Sequence, residues 1–253
     1  THAISCALYA AAKPGTKLLA ATGLPYDTLQ SVIGITGSYP GTLKSLGVEY
    51  IEAGLLPDGR PDIEKIRLLA SDRSVSAVEI QRSRGYASRP ALSASEINGI
   101  YDAVHSVNPD AVVILDNCYG EFTETEEPKA DLMAGSLIKN PGGGLAPTGG
   151  YICGRRDLVE ASAMRLTVPG IGGECGSYEP GYRLFYQGLL TAPHTVCQAL
   201  KTAVFCARLL ELMGYRTTPA SDEPRYDIIQ SVELGEGRLL ELFCRGIQEA
   251  SPV

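Results

Sequence analysis

At 253 residues the chain can form one large α/β domain with a small appendage, and its 44% hydrophobic and 20% charged residues exclude a disordered tract. A formal net charge of −7 excludes the basic footprint that nucleic-acid phosphates require. No apolar run reaches the ~18 residues that span a bilayer, so no membrane partner is expected.

Thr1 to Ala12 is rich in Ala and Leu and predicts a helix that stops at Lys13-Pro14-Gly15. Lys17 to Ala21 predicts a strand, Thr22-Gly-Leu-Pro25 a break, and Tyr26 to Ile33 a second helix. Val48 to Ile51 and Val75 to Ile80 predict strands on either side of a helix from Asp62 to Ala70. Ser93-Ala-Ser-Glu96 matches a capping box, which starts a helix running toward Val107. Ala111-Val-Val-Ile-Leu115 is uniformly apolar, as a strand covered on both faces requires. Asp131 to Ser136 is a short segment, and Gly149 to Cys153 another strand. Pro193 to Leu212 predicts a long helix ended by Gly214. Arg225 to Leu234 then reads as a strand and Arg238 to Ala250 as a helix.

Strands alternating with helices give an α/β fold with a mostly parallel sheet flanked by helices. The expected division is a large unit over 1–212, long linker helix included, and the beginning of a small C-terminal α+β unit over 213–253. The last strand and helix are too few to bury a domain, and the chain opens inside an uncapped helix. Both point to a piece of a longer protein. The seven cysteines are scattered, odd in number and without a CxxC, which predicts reduced thiols of a cytoplasmic protein and no metal site. Nor does a charged-then-apolar leader open the sequence.

The strongest local signal is Ser136-Leu-Ile-Lys139 followed by Asn-Pro-Gly-Gly-Gly144 and Gly149-Gly150. A P-loop would place Lys directly after Gly and before Ser or Thr, so that reading fails. A surface lysine on a flexible loop and a lysine forming a Schiff base with pyridoxal 5′-phosphate (PLP) both remain. The second needs several protein groups. Asp116 ends a buried strand, at the sheet edge where α/β proteins bind ligands, and precedes Lys139 by 23 residues. It suits a pyridinium nitrogen, or caps a turn with Asn117. The Ser136 hydroxyl and the helix start at Thr1-His2 suit a phosphate. The Tyr26 ring suits the pyridine face, and its hydroxyl a leaving group. Arg82, Arg84 and Arg89 suit a carboxylate or a phosphate, although for each one alone a solvated basic loop is the better reading. His194 suits a helix cap, and Glu121 carries no assigned role.

Thr1-His-Ala-Ile, Gly23-Leu-Pro-Tyr26, Ile80-Gln-Arg-Ser-Arg-Gly-Tyr86, Asp116-Asn-Cys-Tyr-Gly-Glu-Phe122, Gly135-Ser-Leu-Ile-Lys-Asn-Pro-Gly-Gly-Gly144, Ala192-Pro-His194 and Asp227-Ile-Ile-Gln230 together resemble the methionine γ-lyase-related proteins often labelled aluminium resistance proteins. The chain is more distantly similar to the cystathionine γ-synthase/γ-lyase group of fold-type I PLP enzymes. The likeness covers essentially the whole chain. It implies PLP as cofactor, Lys139 as the Schiff-base lysine, Asp116 as the pyridinium partner, Tyr26 as the stacking ring and Ser136 as a phosphate ligand, with Thr1 and His2 in the phosphate-binding turn. The wider group has a hydroxyl residue immediately before the lysine. Ile138 stands there instead. The likeness further implies carbon–sulfur lyase activity on a sulfur-containing amino acid, and a homodimer or homotetramer. Sequence before Thr1 and after Val253 would supply the arginine for the substrate carboxylate and contacts between subunits. The competing expectation is a non-catalytic PLP-fold protein with a stress or metal-resistance role.

Overall fold

A computed structural model describes residues 1–251; Pro252 and Val253, the end of the expected second unit, lie outside the described residues. Six strands form the main sheet: β1 (Lys17–Ala20), β2 (Glu49–Glu52), β3 (Val75–Gln81), β4 (Val112–Asp116), β5 (Leu132–Ser136) and β6 (Gly150–Gly154). Their spatial order is β2-β1-β3-β4-β5-β6. The first five run parallel, and β6 joins the edge antiparallel to β5.

Period-2 alternation divides the strands between two apolar layers. Leu18, Ala77, Ile114 and Leu132 face α1 (His2–Ala11), α2 (Asp27–Ile33) and α5 (Arg156–Leu166), packing with Leu8, Leu29 and Leu158. Val78, Ile80, Val113 and Leu115 face α3 (Ile63–Ala70) and α4 (Ala94–Val107), packing with Ile66, Ile97 and Ile100. With a layer on each side, β4 is buried at every position. At the head of α4 the anticipated capping box is present. Ser93 Oγ accepts from the Glu96 N–H at 3.2 Å, and Glu96 Oε2 accepts from the Ser93 N–H at 2.9 Å.

Several elements depart from expectation. The sequence pattern gave no sign of α5, since only Leu158 and Ser162 are buried and its apolar stripe is narrow. The long helix α6 (Arg183–Leu212) begins well before Pro193, which lies inside it. Proline suits a first helical turn, hence the later expected start. Within α6 it removes one backbone hydrogen bond that the helix does without. His194 is therefore an exposed mid-helix residue rather than a cap. In the C-terminal part, β7 (Arg216–Thr218) pairs antiparallel with β8 (Ser231–Glu233), followed by α7 (Gly237–Ala250). β7 was not anticipated, and β8 is shorter than the expected Arg225 to Leu234, because Asp227 turns its carboxylate onto other backbone and side-chain donors. Among the described residues no helix is long and apolar enough to cross a membrane, and the seven cysteines are free.

Two glycines set where α6 lies. A Cβ on Gly188 would strike the Gly142 carbonyl, and one on Gly143 would strike Gly188 and Thr191. The helix backbone thus presses directly on the loop after Lys139, which accounts for part of the glycine run there.

Ser93→Ala is expected to destabilise the fold by about 1 kcal/mol through loss of the α4 cap, read as a lower urea midpoint at unchanged slope.

Candidate active site

Parallel strands deliver their C-terminal ends to one edge, where β3 ends at Gln81, β4 at Asp116 and β5 at Ser136. Gln81 and Asp116 are register partners, as are Asp116 and Ala134. The N-terminus of α1 meets the same edge. A cleft of about 140 Å³ opens there, lined by Thr1, Tyr26, Gln81, Asp116, Ser136 and Lys139 among others. Five residues singled out from sequence, scattered from position 1 to 139, thus share one cavity.

Asp116 is buried, and the Cys118 N–H donates to its Oδ1 at 3.1 Å. Burial pushes its carboxyl above the ordinary range, against the Cys118 hydrogen bonds and the Lys139 charge. Such a carboxylate favours a cation beside it. Burial works to lower the Lys139 ammonium, but the surrounding Cys118, Tyr119 and Asp116 outweigh it and the net shift is upward. Burial also pushes the Cys118 thiol up, so it stays neutral at pH 7 and Asp116 is the carboxyl that faces the amine. Lys139 Nζ lies 4.0 Å from the Tyr119 ring centroid.

Tyr26 stands at the head of α2, its N–H donating to Gln81 Oε1 at 3.1 Å and its hydroxyl to Thr1 Oγ1 at 3.4 Å. Burial raises its phenol far above the ordinary value, so it remains protonated. Ser136 is half-buried at the end of β5. Thr1 makes no side-chain cap to α1 and bonds instead to Thr28 Oγ1 at 2.9 Å, which leaves the first amides of α1 free of a side-chain acceptor.

Not every candidate joins them. His2 is exposed and lies outside the cleft lining, so only its backbone amide belongs to the α1 N-terminus. Ile138 is 62% exposed and also outside it. The reading of Arg82, Arg84 and Arg89 as solvated is corrected: all three are buried, and none lines the cleft. Arg82 pairs with Glu124 at 2.7 Å and Glu127 at 3.0 Å. Arg89 Nη2 donates to the Gln81 and Ser83 carbonyls at 2.6 and 2.7 Å. The Arg84 N–H and the Ser83 hydroxyl donate to Asp227 Oδ2 at 3.2 and 2.8 Å, so the C-terminal part fixes the loop that carries the cleft residues Ser83 and Tyr86.

Sequence reasoning missed Cys118, Tyr119, Gln81 and Tyr86 as cleft residues. Cys118 and Tyr119 follow directly on Asp116, and that adjacency was the available signal. Glu121 is buried beneath the site, accepts from the Tyr151 hydroxyl at 2.9 Å, and is pushed up to about 7 by burial. Glu79, in the middle of β3, is fully buried with neither carboxyl oxygen hydrogen-bonded among the described residues. Burial and the Asp116 charge push it up to about 8, against the opposing influence of Arg89.

Comparison with known proteins places this geometry. The methionine gamma-lyase family model matches residues 1–253. The chain belongs to the methionine gamma-lyase family. It is 46% identical to the uncharacterized protein YnbB of Bacillus subtilis over 257 residues, covering 100% of this chain and 61% of that protein. A solved carbon-sulfur lyase involved in aluminum resistance from Clostridium novyi NT matches with a TM-score of 0.95 at 49% identity, covering 100% of this chain and 61% of that one. The chain thus spans about three-fifths of the length of these family members. At 16% identity and a TM-score of 0.64, the pyridoxal-5′-phosphate dependent protein YhfS of Escherichia coli shares the fold over 99% of this chain and 64% of its own. The fold is that of the fold-type I PLP-dependent proteins: a mostly parallel sheet flanked by helices.

An unfolded glutamate ionises near pH 4.5, whereas Glu79 keeps its proton to about pH 8. Between those values the folded state binds the extra proton, so this residue makes stability fall as pH rises through the window. Glu79→Gln is expected to give a shallower decline of the urea midpoint from pH 5 to pH 8. Parallel declines in both proteins would place the pH dependence elsewhere.

Proposed function

We propose that this chain is the cofactor-holding part of a PLP-dependent carbon–sulfur lyase acting on a sulfur-containing amino acid. The observation that carries the reading is the convergence, in one cleft, of Lys139 with the buried carboxylate of Asp116, the Ser136 hydroxyl and the N-terminus of α1. These groups match the charges and donors of PLP. Lys139 would hold its aldehyde carbon, Asp116 the protonated ring nitrogen, Ser136 and the α1 amides the phosphate, and Tyr26 the ring face. When bound, PLP supplies an electron sink for the pair left at the substrate Cα.

The protein's own groups do the rest. Asp116, raised by burial, is stabilised in its charged form by a cationic partner. Lys139 Nζ, when not holding the cofactor, would be the base that removes the Cα proton. Tyr26, protonated at all working pH values, can donate its hydroxyl hydrogen to a departing thiolate as well as stack. Lys139 and Asp116 together favour catalysis over a binding-only scaffold, which has no use for both. The reading extends to residues 1–212 as the large unit, with 213–253 opening a small one. It also extends to a homodimer or homotetramer, supported by apolar residues that α6 leaves exposed, such as Leu190 and Phe205. The cytoplasmic compartment belongs to the same proposal.

The full-length protein is expected to gain a visible absorbance band on addition of PLP. Lys139→Ala should lose the band with its circular dichroism intact. Asp116→Asn should bind PLP about ten- to a hundredfold more weakly, as loss of a charge-assisted hydrogen bond implies. Release of hydrogen sulfide or a thiol, with a keto acid, from a panel of sulfur amino acids then identifies the substrate. Absence of both band and product would sink the proposal.

A further inference from the structure

Tyr119 is one of two non-glycine residues found at positive φ among the described residues. Its φ is 70°, and that of Phe122 is 62°. Bulky side chains avoid this region, and such strain persists only where surrounding contacts enforce it. Here the enforcement is visible. The buried side-chain amide of Asn140 donates to the carbonyls of Tyr119 at 3.0 Å and Glu121 at 2.9 Å, and the Gly120 N–H donates to the Asn117 carbonyl at 3.0 Å. Gly120 is also closed against Arg82, with no room for a Cβ. Asn140 directly follows Lys139. The loop that carries the amine therefore also clamps the segment that carries the ring.

What the strain achieves is the placement of an aromatic face under Lys139 Nζ, 4.0 Å from the ring centroid, within the cleft. A lysine on a flexible four-carbon stem would otherwise spread over many rotamers. We propose that Tyr119 is a catalytic residue, its ring being the seat that holds the Lys139 amine in the cleft. This rests on the functional reading above, in which the amine accepts the Cα proton. The proton moves from Cα to Nζ, the electron pair stays with the carbon, for which bound PLP would be the sink, and the new ammonium forms over the negative face of the ring. The other titratable groups facing the amine are Asp116 and Cys118, from the end of β4 and the turn after it. Asp116 is the one carboxylate of the two, so the ring provides attraction where a second carboxylate would compete with Asp116 for the cofactor.

The test uses the full-length protein in two arms. In the first, PLP is removed and Lys139 is labelled with acetic anhydride across a pH series, with its modification followed by mass spectrometry. Tyr119→Phe, which keeps the ring but loses the phenol hydroxyl, should lower the midpoint by less than Tyr119→Leu. Tyr119→Leu should shift it down by about 0.5 to 1.5 pH units, the size of a cation–π contact. In the second arm the PLP-loaded variants turn over a sulfur amino acid. Tyr119→Leu should retain the visible band and lower kcat by about tenfold, with KM within about twofold.

Tyr119→Asn serves as the folding control, because asparagine adopts positive φ more readily and has no ring. It should melt no lower than wild type and show the same downward midpoint. Wild-type midpoints and kcat in the Leu and Asn variants overturn the proposal, as does a midpoint that follows melting temperature across the variants rather than loss of the ring. A wild-type protein without a visible band would instead count against the PLP reading. The labelling arm, read on PLP-free protein, is scored separately.

Discussion

A carboxylate tolerates burial at the end of β4 only where something nearby compensates for lost water, and the rest of the site is arranged around that requirement. Asp116 receives one backbone N–H from Cys118 and faces the Lys139 amine across the cleft. Both residues are placed by strand ends, because β4 and β5 are adjacent and parallel and stop at the same edge. A shift of either strand by one residue would turn Asp116 or Ser136 to the opposite face of the sheet. The apolar layers on the two faces prevent that slip. Core packing and site geometry are in this sense one constraint.

Around this pair the protein concentrates acidic groups that water would normally keep apart. Glu79 and Glu121 are both buried and both raised by burial, to about 8 and about 7, so Glu79 holds its proton through pH 7 and Glu121 is about half protonated there. Neutral acids add little repulsion to Asp116. Glu121 has a partner in Tyr151, whereas Glu79 has none among the described residues. A sheet interior that keeps such a residue gives up stability at that position, as functional regions commonly do.

Much of this was legible in the sequence. The apolar run before Asp116, the capping box at Ser93 and the alternation of strands and helices are local patterns, and local patterns gave β4, α4 and the fold. Lys139, Asp116, Ser136, Tyr26 and Thr1 were legible as candidates because residue types that bind PLP stood at element ends, and family resemblance sharpened their roles. What was not legible depends on tertiary contact. Arg82 and Arg84 are buried against carboxylates and a carbonyl remote in sequence, and Arg89 against the carbonyls of its own folded-back loop, which no window around Arg82 reveals. Tyr119 escaped notice because its backbone is held by Asn140, 21 positions away. The helix α6 was begun too late because proline propensity at a helix start outweighed the less regular residues before it.

The bond from the Ser83 hydroxyl to Asp227 closes a loop of 144 positions. Closing so long a loop is entropically costly and is deferred until most of the chain is in place. During synthesis the sheet and its two layers can form once α5 has emerged, whereas the wall beside Tyr86 cannot be fixed until residue 227 has left the ribosome. The floor of the cleft is therefore an early product of folding, and its wall a late one.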